Sequence, residues 1–450
     1  MSNLRKHILA SAAMASAAVT AFDIKEGGEV DGATLLADFE LPSMEGYTEA
    51  EFELAEVESV REEFDTTRVG LESIQNYLTS AVATGGLTPA AGGFVTDMYL
   101  ALTERVSDLR ASIVMPSMES YEADGAALGQ TEISMEAVTQ TLKQVIEAIK
   151  RVVTMAIEAA IKFYKQHTDK VMGLKAGLEK LQASVRTGVA GVPEKDTVNV
   201  SSIEYLYVDG KIDTSDISSF VKPVVSNGKE IKKLIAEYAK GLESVKEGEL
   251  DAATALTEGV KVKLQEAFVK SFNAKIKIDD KQAKELGLGE SFGEHLYSGI
   301  LAGNRGVYVS IPDADSDLTT NVKVEAAPKA KEAPETAPAG KASDAATHIK
   351  IAMANIAQYE ELNALGSDLI EECKKMVKAV DKAGKVLDKA AAGADGAPAF
   401  LSAIKDVKEL SNTIRTAYTD LVKWAAQVAS AHGSYTQAIV KNLKVEKKAD

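Results

Sequence analysis

The string Gly289-Glu290-Ser291-Phe292-Gly293 has the G-x-S-x-G spacing that holds a nucleophilic serine in many hydrolases. That chemistry needs a buried strand before the serine and a helix after it, so that the hydroxyl stands on a sharp turn. Here the preceding Lys281-Gln282-Ala283-Lys284-Glu285 is polar and helix-prone. Ser291 and Glu294 also fit an S-x-x-E capping box, in which serine opens a helix. The cap is the favoured reading, and a serine hydrolase ranks third among the functions weighed below. Asp313-Ala314-Asp315-Ser316-Asp317 starts like an EF-hand loop. Its sixth position is Leu318 instead of Gly and its twelfth is Val324 instead of Glu, so a solvated acidic loop is expected.

The remaining reactive side chains do not assemble along the sequence. His7, His167, His295, His348 and His432 are scattered, and none pairs at helical ligand spacing, which argues against a zinc site. Cys373 is the single cysteine, so neither an intramolecular disulfide nor a cysteine cage can form. Placed between Ile370 and Met376 on an expected helix, it reads as a small buried residue. Glu371 and Glu372 are adjacent and diverge on a helix. There is no Walker A string and no dinucleotide G-x-G-x-x-G. No catalytic, cofactor-binding or metal-binding residue is assigned, no cofactor is expected, and the chain reads as non-enzymatic.

The elements that position these residues are helical. In 450 residues, 45% are hydrophobic but only 6% aromatic, with one tryptophan, Trp424. Abundant Ala, Leu, Lys and Glu with few aromatics favours helix packing over large sheets. The formal charge of −16 makes the whole chain a poor general binder of nucleic acid, which needs cations to neutralise phosphates. No stretch approaches the ~20 apolar residues of a membrane span.

The chain is organised around residues 133–186. Val138, Leu142, Val145, Ile146, Ile149, Val152, Val153, Ile157, Ile161 and Tyr164 recur at gaps of three and four, which marks one apolar helix face. Glu147, Arg151, Thr154, Glu158, Lys162 and Lys165 fall on the opposite face. Its basic residues, Lys150 among them, could touch phosphate or acidic headgroups; a solvated face is favoured.

The expected fold is mainly α. Residues 1–65 form an acidic N-terminal segment. Residues 66–190 form an elongated helical hairpin plus the long amphipathic helix, and 191–325 a small α+β region, with a short strand expected over Val198 to Val208 and a turn at Asp209-Gly210. Residues 326–344, rich in Pro and Ala, read as an extended linker, and 345–443 as a three-helix bundle-like module. Gly85-Gly86 ends the first hairpin helix, and Thr88-Pro89 opens the second, which is expected to run to about Arg110, with a loop over 114–132 before the long helix. Gly366 is taken to end the first helix of the last module, and Gly393, Gly396 and Pro398 to break the chain before the third. At the start, Arg5 and Lys6 precede the Ala-rich run to Phe22, a weak secretory outline; the N-terminal helix of a precursor is preferred. Leu41-Pro42-Ser43-Met44-Glu45 is echoed at Met115-Pro116-Ser117-Met118-Glu119, with a third Ser-Met-Glu at 134–136. Helix-start signals are the favoured explanation.

A fixed order of features runs from Gly70-Leu71-Glu72-Ser73-Ile74 to Tyr164-Lys165-Gln166. The turn Gly85-Gly86-Leu87-Thr88-Pro89 comes next, then the loop Pro116 to Ser120, then the Met135-Glu136 helix with Ile146-Glu147-Ala148-Ile149-Lys150. This order resembles the internal head (virion structural) proteins of large tailed bacteriophages. The resemblance implies a virion component packaged in the phage head and made in the host cytoplasm. It implies other head proteins as partners, self-association among them, with contact to packaged DNA left open. It further implies a precursor cut by the phage prohead protease after Glu in small-or-aliphatic-x-Glu sites. Ser43-Met44-Glu45 and Leu54-Ala55-Glu56 match, which makes Glu45 and Glu56 the processing candidates. Residues 1–56 hold eleven acids and three Lys or Arg, so their loss removes eight of the sixteen net negative charges. The alternative function is an exported or delivered amphipathic helical protein that acts on membranes.

Overall fold

The computed structural model describes residues 41–42, 44, 49–104, 106, 115–116, 118–121, 127–186, 191–244, 250–288, 292–313, 320–390 and 397–444. It is mainly α, with small sheets in the middle of the chain. The chain forms two compact units, residues 51–159 and residues 1–50 with 160–450.

The 51–159 unit is built from helices α1 (Glu49–Ala83), α2 (Pro89–Thr103) and the first part of α3 (Ala127–Arg186). Val57, Phe64, Leu71 and Leu78 recur every seven residues, with Thr67, Ile74 and Ala81 three further on, and all are buried. A heptad of this kind makes one continuous seam. Alongside it, Arg61 pairs with Glu58 and Asp65, and Arg68 with Asp65 and Glu72. Cations at these i+3 and i+4 spacings support the helix within an otherwise acidic stretch. The last part of the acidic segment, from Glu49, is thus part of a 35-residue helix.

Gly85 and Gly86 end α1 at φ of 98° and 102°. Thr88 then caps α2 by accepting a hydrogen bond from Ala91 N, and Pro89 takes the first helical position. Gly70 lies against Leu102, each equally far from Gly86 along the chain, so α1 and α2 close as an antiparallel hairpin. Threonines join the hairpin to α3. Tyr99 OH and Thr141 Oγ1 are 2.7 Å apart, Gln75 Nε2 donates to Thr139 Oγ1, and Leu87 N donates to Thr131 Oγ1.

Two expectations change in this unit. α2 ends at Thr103, short of Arg110, because Thr103 Oγ1 turns back onto Tyr99 O and Leu100 O. α3 begins at Ala127, inside the expected loop 114–132, where Thr131 Oγ1 bonds Ala127 O. The motif echo also serves another purpose. Ser134 is fully buried inside α3, bonded to Tyr121 OH, and Met115 and Tyr121 are buried. The repeat supplies packing anchors, and its third copy opens no helix.

The larger unit holds the rest of α3 and the strand pairs β1 (Val192–Pro193) to β4 (Lys211–Ile212), with β2 at Thr197–Val198 and β3 at Tyr207–Val208. The single strand expected over 198–208 is absent. Ser202 adopts φ of 53°, and a 3₁₀ turn at Ile203–Leu206 separates β2 from β3. The Asp209-Gly210 turn forms as expected, both residues at positive φ.

Helix α4 (Ser218–Glu243) folds back on α5 (Leu250–Ser271), where Ser271 Oγ donates to Val224 O. Then come β5 (Ile276–Lys277), α6 (Asp280–Glu285), β6 (Phe292–Tyr297), β7 (Arg305–Pro312) and β8 (Asn321–Ala326). The four strands form one antiparallel sheet in the order β5-β6-β7-β8. Tyr297 and Tyr308 stack at 4.9 Å over Ile278, Leu288 and Ala327.

The Pro- and Ala-rich stretch is extended, as its composition requires, but it is anchored to the body. β9 (Ala337–Pro338) pairs with β2, Ala337 is fully buried, and Asn304 Nδ2 donates to Lys331 O.

The C-terminal part contains two long helices, α7 (Ala342–Ala390) and α8 (Ala397–Asn442), where three were expected. Gly366 does not end α7. A Cβ there would meet the Tyr164 ring at 2.5–2.6 Å, so the glycine is a packing notch. The expected break at Gly393 and Gly396 lies outside the described residues. The third helix of the bundle comes from the middle region. α4 runs along α7 with Ile217 N on Asn355 Oδ1 and Lys232 on Asp368, and Gly228 fits against Leu365 and Tyr418. β10 (Leu443–Lys444) closes the fold by pairing with β1.

Candidate functional site

The sequence motifs do not make a catalytic centre. Ser291 lies outside the described residues, but the residues after it form strand β6. Neither the helix of a nucleophile elbow nor the helix of the capping box follows it. The alternation Phe292–Tyr297 carries the strand signal, with His295 and Tyr297 buried, and the capping-box match concealed it. Asp315 and Asp317 lie outside the described residues. Cys373 is fully buried on α7 beside Ser411, and burial pushes its thiol up to about 12, so it stays protonated and inert. Among the described residues, no group of three or more His, Cys, Asp and Glu side chains could hold a metal ion.

Of the processing candidates, Glu45 lies outside the described residues. Glu56 is exposed on α1, between buried Leu54 and Val57. Just upstream, the chain lies along the end of α3. Ala50 N donates to Gln166 Oε1, Lys170 Nζ donates to Met44 O, and Leu41 packs on Gly433 of α8.

Two features of α8 were not legible in the sequence. His348 and His432, scattered in the sequence, meet between α7 and α8. Their Nδ1 atoms are 2.8 Å apart and the rings stack at 5.0 Å. Tyr435 stands edge-on to His348 at 4.8 Å and donates its hydroxyl proton to Pro338 O of β9. Burial holds both imidazoles below their ordinary pKa, His432 at about 3, where nearby His348 adds to the effect. The second feature is a cavity of about 700 Å³ at the C-terminal end of α8, lined by Lys195, Asn199, Ser201, Ser434 and Lys441, with Leu41 at its wall. Asn442 shapes it by bonding Lys195 N and Lys195 O through its amide. Hydroxyls, amides, two ammonium groups and the Glu194 carboxylate make the lining polar, so it can hold a polar surface.

The surface of α3 matches its sequence pattern. Glu147, Arg151, Thr154, Glu158, Lys162 and Lys165 are exposed. Val138 to Ile157 on the apolar face are buried, and Ile161 is half-buried, so that face is not offered to a membrane. Among the described residues, no helix is long and apolar enough to cross a membrane. The exposed large apolar side chains of the 51–159 unit include Phe94, 63% exposed, Tyr77, 50% exposed, Val69 and Met98.

The described residues form long helices with small subordinate sheets, and the 51–159 unit exposes several apolar side chains. The chain belongs to the phiKZ-like phage internal head proteins, whose family model matches residues 29–438. It is therefore a bacteriophage virion component of the head interior, associated with other head components. No curated protein and no solved structure matches it.

Proposed function

We propose that this chain is a non-enzymatic filler of the head interior, made in the host cytoplasm as a precursor and cut once by the prohead protease. The observation that carries this reading is the family match across residues 29–438. Glu45 is the favoured cut site. Proteases need an extended substrate, and cutting after Glu56 would first unwind the turns of α1 that bury Leu54 and Val57. Glu45 precedes the first residue of α1 by four positions, so cutting there leaves the helix and its Ala50–Gln166 hydrogen bond whole. The released segment is acidic, and its loss lowers repulsion between the chain and DNA phosphates.

Association with other head proteins is supported by the family match and agrees with the exposure of the large apolar Tyr77, Phe94 and Met98. Mapping the N-terminus of the chain from purified particles tests the processing. The reading expects Gly46 as the first residue. A chain that starts at Met1 or Ser2 would refute it, and one that starts at Val57 would move the cut to Glu56.

A further inference from the structure

The His348–His432 contact joins two helices through a proton that only one ring can own. With the Nδ1 atoms 2.8 Å apart, one nitrogen donates its hydrogen and the other presents its lone pair. Two neutral rings share that arrangement. Two charged rings would oppose N–H to N–H, with like charges 5.0 Å apart between centroids. His432 has nowhere to place a charge, because it is fully buried and its Nε2 has no hydrogen-bond partner.

The groups that face the pair are few. Asp344 lies one turn before His348 on α7. Asp213, in the turn after β4, faces it from the other side, its carboxylate already bonded by Ser215 N and Oγ. Tyr435 covers His348 from α8, and Tyr207 of β3 stands near Tyr435. The two aspartates favour an added proton on His348, and it then repels any charge on His432. Tyr435 also fixes β9 through Pro338 O, and β9 pairs with β2, whose Thr197 and Val198 line the cavity.

We propose that the His348–His432 pair is an acid-released latch: one shared proton bridges α7 and α8, and charging both rings parts them and frees the Tyr435–Pro338 contact that fixes the β2–β9 ladder. The shared proton stays on whichever Nδ1 donates. The two added protons come from solvent: the first sits on His348 and keeps the bridge, and the second, on His432, breaks it.

The test uses the full chain, labelled with ¹⁵N-histidine, at pH 7.5, 6.0 and 5.0. Long-range ¹H–¹⁵N correlations should show one Nδ1–H in the pair and neither ring doubly protonated at pH 6.0. Amide exchange, corrected for intrinsic rates, should show protection over 337–348 and 430–438 falling about 30-fold from pH 7.5 to 5.0 for each proton taken up on opening. A double variant, His348→Asn with His432→Asn, keeps a side-chain donor and acceptor but cannot titrate, and its protection should not depend on pH. Two results overturn the latch. One is both rings titrating near 6.5 in the folded chain; the other is the double variant losing as much protection in acid as the natural chain. If that variant fails to fold, the histidine spectra of the natural chain decide alone.

Discussion

Gly366 of α7 faces the ring of Tyr164 on α3 so closely that a Cβ at 366 would lie 2.5 Å from its hydroxyl and 2.6 Å from Cε1. Both ring atoms are rigidly placed, because Tyr164 is fully buried and its ring meets Phe163 edge-on at 5.3 Å. Gly366→Ala should therefore destabilise the chain by about 2 kcal/mol, an overpacking cost that exceeds the ~1 kcal/mol gained in helix propensity. Urea unfolding measures it. In the Tyr164→Ala background the same substitution should cost far less, since the ring it collides with is gone.

The two turn glycines separate strain from space. Both have positive φ, but a Cβ at Gly85 meets nothing, whereas one at Gly86 would lie 2.5 Å from the Ala127 carbonyl carbon. Gly85→Ala should cost about 1 kcal/mol, the left-handed penalty alone. Gly86→Ala should cost clearly more, because backbone cannot move aside like a flexible side chain. Thermal unfolding of the two variants, compared side by side, reads the difference.

These glycines show which parts of the fold were readable. At Gly85-Gly86 the neighbouring Thr88-Pro89 supplied the next helix start, so the turn was legible. The long helix was legible because its buried face repeats at helical spacing for many turns. Gly366 has no such local companion. Its role depends on a tyrosine two hundred residues away, and a helical glycine looks like an end until that partner is known. β6 was hidden because Gly289 to Gly293 and Glu294 satisfy two motif patterns better than they satisfy alternation. His348 and His432 are 84 residues apart on different helices, and only the antiparallel register of α7 and α8 brings them together.

Stability should fall in acid. The unfolded chain protonates its histidines near 6.5, while burial holds folded His432 at about 3. The folded state thus binds fewer protons below about 6.5. Stability is complete above that pH and falls by about 1.4 kcal/mol per pH unit down toward about 3 from His432 alone. His348 and His295, also lowered by burial, act in the same direction. Urea unfolding at pH 7.5 and 5.5 should show the loss.

Cys373 should be unreactive in the folded chain. Its thiol is enclosed and protonated at neutral pH, so a maleimide should add nothing at pH 7.5 and one equivalent in denaturant, as read by intact mass.

The exposed hairpin residues should serve assembly instead of folding. Phe94→Ser with Met98→Ser should leave unfolding within about 0.5 kcal/mol of the natural chain, as surface substitutions usually do. The number of copies per purified head, measured by quantitative mass spectrometry, should fall.

Protease protection reads directly whether the chain resides inside the head. Purified particles are treated with a broad protease, intact or opened by osmotic shock, and the chain is followed by mass spectrometry. The chain should survive in intact particles and be digested after opening; digestion in intact particles, or absence of the chain from particles, would rule out a place in the head interior.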